Sequence, residues 1–212
     1  MSERFNVDID DVLGSNYLVT SISCSSYNPS IDGTITLTVT VKDVYGTAVS
    51  GESVLVTASS GSFTGYNGSS ITSTSSYTGT TNPSGQFTLT YTCTAWGLIT
   101  FTANNTNTQV DVGGWKTVSL SAGSTYGTLY VNGKTRTAEL RYVRTFSSAT
   151  ADTFYTWHSG AIPSAYRPSD QVNGSCNQAG AIYVDSTGEI GGKFANGWSS
   201  DRLVKGSVMW HY

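Results

Sequence analysis

The sequence has little charge and few of the residues that build helices. Only 12% of its 212 residues are charged and only ten are leucine, while serine and threonine contribute 31 residues each. Disordered chains combine high charge density with few aromatic rings, whereas 12% of this chain is aromatic, so disorder is excluded. β-Branched and aromatic residues suit pleated strands, and the 23 glycines suit the turns between them. The composition therefore predicts an all-β protein.

Cysteine is also scarce. Three cysteines are too few for a disulfide scaffold or a zinc site. Cys24 and Cys93 fall on the apolar faces of two predicted strands, where they are either two buried thiols or one inter-sheet disulfide. Nothing marks an oxidising compartment, which favours the thiols. Cys176 lies among Asn, Gly and Ser residues, which predicts a loop.

Catalytic side chains are few as well. The two histidines, His158 and His211, do not form a metal-spaced pair, and no G-x-S-x-G segment marks a serine nucleophile. A glycosidase needs two carboxylates that flank one bond. Asp185, however, belongs to a predicted hairpin turn, and Asp201 neighbours Arg202. We therefore expect no enzymatic activity, no metal and no cofactor.

Long apolar runs and long basic runs are both missing. No stretch approaches the roughly 18 apolar residues of a membrane span, so we expect no membrane insertion. The net charge is −3 in residues 1–16, −3 in residues 17–112 and +3 in residues 113–212. Because the basic residues of the last segment alternate with acids, we expect no nucleic-acid partner. The opening residues lack the apolar stretch of a secretion signal, which favours assembly inside the cell that makes the protein.

Residues 17–112 have the pattern of a β-sandwich. Residues 34–41 and 86–94 alternate strictly between apolar and polar side chains, which predicts half-buried antiparallel strands. An Asn-Pro-Ser-Gly turn at 82–85 precedes the second of them. A short strand within 59–76 and three others bring the total to six, close to the seven typical of an immunoglobulin-like sandwich. The three others are predicted at 17–24, 53–58 and 98–103, and the last of these is the final strand of the domain.

Two segments of this domain carry a resemblance. They read V-x-D-x-x-G-x-x-V-x-G at 41–51 and T-N-x-x-G-x-x-x-x-x-Y at 81–91. Both resemble segments of the bacterial and archaeal Ig-like repeats found in surface adhesins and phage virion proteins. The resemblance implies a spacer or presentation module and says little about a ligand.

The character of the chain changes after the paired glycines Gly113 and Gly114, which predict a hinge. Residues 113–212 hold four of the five tryptophans and nine of the eleven basic residues. Tight turns at 132–133 and 185–188 join neighbouring strands as hairpins. We predict a second antiparallel β-sandwich, resembling a jelly roll, for residues 113–212. Its strands are predicted at 116–121, 128–131, 137–145, 153–157, 180–185, 189–194 and 203–212.

Three segments of the second domain carry a further resemblance. They read IPSAYRPS at 162–169, AIYVDSTGEI at 181–190 and GSVMW at 206–210. Together they resemble the C-terminal domain of phage tail-fibre, baseplate and other virion-appendage proteins, in which tyrosine is common where this chain has Trp210. The resemblance covers residues 140–212, implies a homotrimer and leaves the ligand open.

Six residues of the second domain are candidates for contact with a carbohydrate receptor. Sugar rings stack on exposed aromatic rings, and Asp, Asn and His side chains bind sugar hydroxyls. Each candidate also has a structural alternative, in which the aromatic rings fill the core or lock the proline-flanked segment 162–169 onto the sheet or a neighbouring subunit. In this structural alternative, Arg167 locks the segment in place together with Tyr166. The candidates are Tyr155, Trp157, His158, Tyr166, Asp170 and Trp198.

These features predict a virion appendage protein of a tailed virus of bacteria or archaea that attaches to host cell-surface carbohydrate. Residues 1–16 would dock to other virion proteins, residues 17–112 would form a stalk, and residues 113–212 would form a trimeric host-contact domain. Assembly in the host cytoplasm agrees with the missing secretion signal. Two alternatives remain. One is a head fibre or capsid decoration protein without a specific receptor, and the other is a fragment of a cellular surface adhesin.

Overall fold

The computed structural model describes residues 17–121, 126–178 and 180–212. The predicted docking segment 1–16 lies outside these residues. The chain divides into two compact units between Gly113 and Gly114. Within the described residues the regular structure is β-strand, apart from short 3₁₀ turns such as Ser164–Tyr166, and no α-helix occurs. These residues contain no helix that is long and apolar enough to cross a membrane. The all-β prediction is confirmed.

The first unit is a two-sheet antiparallel sandwich. One sheet has the strand order β1-β2-β7-β4-β5, and the other has the order β6-β3-β8-β9. The nine strands are β1 (Leu18–Cys24), β2 (Thr34–Asp43), β3 (Ser53–Ala58), β4 (Ser62–Tyr66), β5 (Ser69–Thr74), β6 (Ser76–Thr80), β7 (Gln86–Thr92), β8 (Gly97–Ala103) and β9 (Thr106–Val112).

Alternation in β2 and β7 positions the core of this sandwich. The two strands pair so that Leu37 lies opposite Leu89 and Val39 lies opposite Phe87, and all four side chains are buried. Their threonines occupy the other face of the sheet, as period-two alternation requires. Phe63, Tyr91 and Phe101 form the aromatic centre of the core, and the rings of Tyr91 and Phe101 meet edge to face at 4.8 Å.

The first unit has more strands than the sequence predicts. The segment 59–76, predicted to hold one short strand, instead holds β4 and β5, which form a hairpin around a left-handed turn at Asn67 and Gly68. Strand β9 follows the strand that was predicted to be the last. Only Val110 and Val112 of β9 are buried, so its sequence lacks the apolar alternation that identifies strands such as β2 and β7.

The described residues of the second unit form one antiparallel sheet of eight strands in the order β10-β11-β12-β17-β14-β15-β16-β13. A 3₁₀ turn at Ser164–Tyr166 lies between β13 and β14. The strands are β10 (Lys116–Val118), β11 (Gly127–Asn132), β12 (Thr137–Phe146), β13 (Phe154–His158), β14 (Val172–Cys176), β15 (Gly180–Val184), β16 (Ile190–Phe194) and β17 (Arg202–His211).

This sheet curls on itself and encloses its own core. Strands β12 and β13 are five positions apart in the sheet, which in a flat sheet would separate them by about 24 Å. The rings of Tyr142 on β12 and Trp157 on β13 nevertheless stack, with centroids 4.9 Å apart. The backbone N–H of Ser121, beyond β10, donates to the carbonyl of Ala161, beyond β13, at 2.9 Å, so the two edges approach each other. The sandwich-like packing of this unit therefore arises within a single sheet.

The predicted loop around Cys176 is wrong, because residues 172–176 form strand β14. This strand pairs with β15 along its whole length and with β17 at Ser175 and Cys176. Its Asn-Gly-Ser composition is typical of a turn, but Gly174 is required where the strands crowd together. A Cβ atom at Gly174 would lie 1.9 Å from the carbonyl oxygen of Ser207 on β17. Cys24, Cys93 and Cys176 are all free thiols.

Candidate functional site

Trp157, one of the six predicted receptor contacts, lies in the core of the second unit. Only 7% of its surface is exposed. Its ring stacks on Tyr142 and on Phe194, with centroids 4.9 Å and 5.7 Å away. The absence of a side chain at Gly192 leaves space for the indole, since a Cβ atom there would lie 2.2 Å from the ring. The structure therefore contradicts a surface role for Trp157, because the curl of the sheet covers both faces of its ring.

Tyr155 precedes Trp157 by two residues and packs on the same core ring. Its centroid is 6.2 Å from that of Phe194, and its side chain is half-buried. The backbone N–H of Thr150 donates to its hydroxyl oxygen at 2.6 Å. These hydrogen bonds to Thr150 lower the pKa of Tyr155. Tyr155 therefore anchors the loop before β13 to the sheet.

His158 ends β13 at a bulge and is half-buried beside a cation. Its Nε2 atom lies 3.5 Å from a guanidinium nitrogen of Arg144, and its ring lies 4.5 Å from that of Tyr126. The ring of Tyr142 is 6.1 Å away on another side. Burial, and to a lesser extent Arg144, lower the pKa of His158 below 6.5. The surroundings of His158 thus favour its neutral form.

We expect this histidine to make the second unit less stable in mild acid. A folded-state pKa below the unfolded value means that the unfolded chain binds the proton first. The contribution is fully present above about pH 6.5 and is lost as the pH falls from there towards the folded pKa. Urea midpoints at pH 5.5 and 7.5 should therefore differ more for the wild type than for His158→Gln. His211→Gln should keep the wild-type difference, and a His158→Gln variant that also keeps it would contradict the assignment.

Trp198 is half-buried at the edge of the aromatic core. Its ring packs on Phe194 with centroids 4.7 Å apart, and its indole N–H donates to the carbonyl of Phe146 at 3.3 Å. The guanidinium of Arg202 lies 5.7 Å from the ring centre. A shallow pocket of about 350 Å³ adjoins it, between Asn177 and Arg202. Trp198 therefore keeps one accessible side, while its orientation is set by the core.

The remaining two candidates lie elsewhere in the unit. The carbonyl of Tyr166 accepts a hydrogen bond from the indole of Trp210 at 2.7 Å, and the Tyr166 ring meets that of Tyr212 edge to face at 5.3 Å. The Nε atom of Arg167 donates to the carbonyl of Ile162 at 2.9 Å. These contacts hold Tyr166 against strand β17 and the C-terminal Tyr212, and hold Arg167 against its own segment. Asp170 is exposed in the loop that follows.

Three segments of the second unit that carry a resemblance in the sequence meet in space. The N–H of Ile162 donates to the carbonyl of Gly188 in the turn between β15 and β16, and Trp210 on β17 binds the carbonyl of Tyr166. The segments 162–169, 181–190 and 206–210 therefore form one structural junction. The six predicted receptor contacts do not converge on a single surface.

A groove that sequence reasoning missed lies on the outer face of the second unit. Strands β11, β12, β17 and β14 carry it, and its volume is about 820 Å³. Because buried residues such as Leu140 and Tyr142 alternate with outward ones along β12, the intervening side chains line the groove. We name it the Tyr130 groove after its aromatic residue. Its main lining side chains are Tyr130, Glu139, Arg141, Ser175, Lys205 and Ser207.

Arg141 is held in place on the floor of the Tyr130 groove. Its Nε and Nη2 atoms donate to the two carboxylate oxygens of Glu139 at 2.8 and 3.2 Å. Its guanidinium carbon lies 4.8 Å from the centre of the Tyr130 ring. The hydrogen bonds to Glu139 raise the pKa of Arg141 further, so it stays charged. The side chain is 63% exposed even so, and a fixed, exposed guanidinium is a ready donor to a ligand.

The opposite wall of the groove comes from β17 and the end of β14. The backbone of Lys205 exchanges hydrogen bonds with Asn177, whose side-chain oxygen accepts from the Lys205 N–H at 2.8 Å. Ser175 lies directly opposite Ser207 in the pairing of β14 with β17. The groove thus offers hydroxyls, a cation pinned to an aromatic ring and a second cation. No cluster of three His, Cys, Asp or Glu side chains able to hold a metal occurs in the described residues.

Sequence reasoning missed the groove because no single segment contains it. The alternation of Glu139, Arg141 and Val143 could have placed these three on an outward face. The pairing of β12 with β17 and of β17 with β14 brings the other lining residues beside them, and neither pairing is local.

Comparison with known proteins gives structural likenesses only. No family model matches the chain, and no curated protein matches it by sequence. The adhesin InvE of Yersinia pseudotuberculosis matches with a TM-score of 0.34 and 13% identity over 88% of this chain and 50% of that one. The chain thus spans half the length of that structure.

Two further structures match at a similar level. The collagen adhesin CNA from S. aureus gives a TM-score of 0.30 with 12% identity, covering 93% of this chain and 81% of that one. Domains 5–6 of the S-layer protein SbsC give a TM-score of 0.29 with 18% identity, covering 89% of this chain and 98% of that one. The named structures are adhesins and a surface-layer protein, and the phage resemblance has no counterpart among them. TM-scores at this level do not establish a common fold.

Proposed function

We propose that this chain is a surface-attachment protein whose second unit binds carbohydrate in the Tyr130 groove. The pinned pair of Arg141 and Tyr130 carries the proposal. Carbohydrate sites combine an aromatic surface with hydrogen-bonding groups fixed in advance, since ordering mobile side chains costs affinity. Ser175 and Ser207 add hydroxyls that can donate to and accept from sugar hydroxyls.

The first unit acts as the spacer in this proposal. Its outward strand faces are rich in serine and threonine, and residues 17–112 contain only five charged side chains. The described residues of its core all belong to the unit itself, as expected of a module that presents another domain.

We further propose that the chain belongs to the virion of a tailed phage, as a trimeric appendage docked through residues 1–16. The junction of the segments 162–169, 181–190 and 206–210 supports this setting, because the residues that carry the phage resemblance also contact one another. The rival setting, a cellular surface adhesin, is supported by the Ig-like segments of the first unit. A head fibre or decoration protein without a receptor is a third possibility within the virion.

Antibody labelling in electron microscopy tests these settings. Label at the tail tip of purified virions supports the appendage, and label on the head supports the fibre or decoration protein. Label on uninfected cells that carry the gene supports the adhesin. A sedimentation mass near 22.5 kDa at micromolar concentration would contradict the trimer.

Replacement of Tyr130 by alanine tests the carbohydrate site. We expect Tyr130→Ala to weaken binding in a glycan array by about tenfold or more, because it removes the ring and frees Arg141 to move. The matched control is Phe154→Ala, which removes a ring that is 65% exposed on β13 of the same unit, outside the groove. If Phe154→Ala loses binding and Tyr130→Ala keeps it, the site lies on β13 and the proposal is overturned.

A further inference from the structure

The charges of the Tyr130 groove narrow the class of sugar that it can hold. Three of its main lining side chains are ionised, namely Glu139, Arg141 and Lys205. The Glu139 side chain is only 18% exposed, and both of its carboxylate oxygens accept hydrogen bonds from Arg141. The pair is neutral as a unit, so Lys205 gives the groove a net charge of +1. The chain as a whole has a net charge of −3.

Lys205 is exposed and available to a ligand. Within the described part of the chain its ammonium group makes no ion pair and no side-chain hydrogen bond, and its backbone is pinned by Asn177 on both sides. Lys205 lies opposite Val143 and Arg141 lies opposite Ser207 in the pairing of β12 with β17. The two cations are therefore diagonal neighbours on one face, with Cα atoms about 7–8 Å apart.

Arg141 also has donors to spare. Its bonds to Glu139 use Nε and Nη2, and its Nη1 group makes no hydrogen bond within the described residues. An anionic group between Arg141 and Lys205 would receive donors from both. The serine hydroxyls of β14 and β17 would then meet neighbouring sugar hydroxyls.

We infer that the Tyr130 groove selects saccharides that carry an anionic group, with Arg141 and Lys205 as its two donors. This inference rests on the proposed carbohydrate function and names its ligand class. A neutral sugar would leave Lys205 without a partner, whereas a carboxylate or phosphate gains charge-assisted hydrogen bonds at both residues.

The test uses the full chain on an array of matched acidic and neutral glycans. The pairs are oligogalacturonate with its methyl ester, sialyl-lactosamine with lactosamine, and mannose 6-phosphate with mannose. Where the acidic glycan of a pair binds, we expect its affinity to be about tenfold higher than that of its neutral partner. We expect Lys205→Gln to remove most of this preference, and rising salt to weaken it.

Lys193→Gln is the matched control variant, because Lys193 lies in the same unit outside the groove and pairs with Asp152 at 3.2 Å. It should keep the wild-type preference. Equal binding of acidic and neutral members would overturn the inference and leave the carbohydrate function standing. A preference unchanged in Lys205→Gln would also overturn it, and the absence of binding to every glycan would overturn the carbohydrate function as well.

Discussion

Replacement of Trp157 by alanine should unfold the second unit under conditions in which the first unit stays folded. Trp157 packs between Tyr142, Phe146 and Phe194, and its loss leaves a cavity where the two halves of the curled sheet meet. Removal of a buried tryptophan costs about 3–5 kcal/mol, a large part of the stability of a domain of this size. Among the described residues, the core of the first unit contains none from the second, so the stability of the first unit should not change. Hydrogen exchange in increasing urea, followed by mass spectrometry, reports on each unit separately.

Trp115→Ala is the control for this experiment. Trp115 lies in the same unit but is 44% exposed, so its removal creates no enclosed cavity and should have a small effect. If Trp157→Ala shifts the urea midpoint of the second unit no more than Trp115→Ala does, the curled packing of the sheet is wrong.

Gly188→Ala is expected to have the second largest effect, at about 3 kcal/mol. Gly188 has a φ angle of +81°, which alanine adopts only at a cost. A Cβ atom there would also lie 2.6 Å from the carbonyl oxygen of Ile162 and 2.6 Å from Nε of Arg167. Because one of these atoms is backbone, the segment 162–169 would have to move away from the turn. Chemical denaturation of the variant measures the loss.

Gly160→Ala separates the two causes of that loss. Gly160 also has a positive φ angle, +58°, but a Cβ atom there would have no atom within 4 Å beyond its own chain neighbours. This variant should therefore cost only about 1 kcal/mol, from the backbone conformation alone. Equal losses in both variants would mean that the crowding between Gly188 and the segment 162–169 contributes nothing.

A strand can be predicted from the sequence when its own side-chain pattern shows which of its two faces is buried. Strands β2 and β7 alternate apolar and polar residues, mostly threonines, and their predicted positions agree with the structure to within two residues. The sequence of β14 is typical of a turn because it contains Asn, Gly and Ser, yet Gly174 is required for the close approach of β14 to β17. The second sheet also closes on itself through contacts between strands distant in sequence, which no local pattern contains.

The candidate site was harder to predict for the same reason. An aromatic residue in a strand has the same sequence signal whether its ring faces solvent or the core. Trp157 and Trp198 both contact Phe194, yet the first is enclosed by the curl of the sheet and the second keeps an accessible side. In the Tyr130 groove, the pairing of Arg141 with Glu139 is local, but the approach of Lys205 depends on β17.

Strand β17 occupies the middle of the second sheet although it is the last of the eight strands in the sequence. It pairs with β12 over ten residue positions and also holds β14. During synthesis on the ribosome, β10–β12 and β13–β16 therefore emerge as two half-sheets with exposed inner edges. They can join only after residues 202–211 have been made. The first unit needs no later residue for its core and can fold early. Carbohydrate binding in the Tyr130 groove would then appear last, because the strand that unites the half-sheets also brings Lys205 beside Arg141.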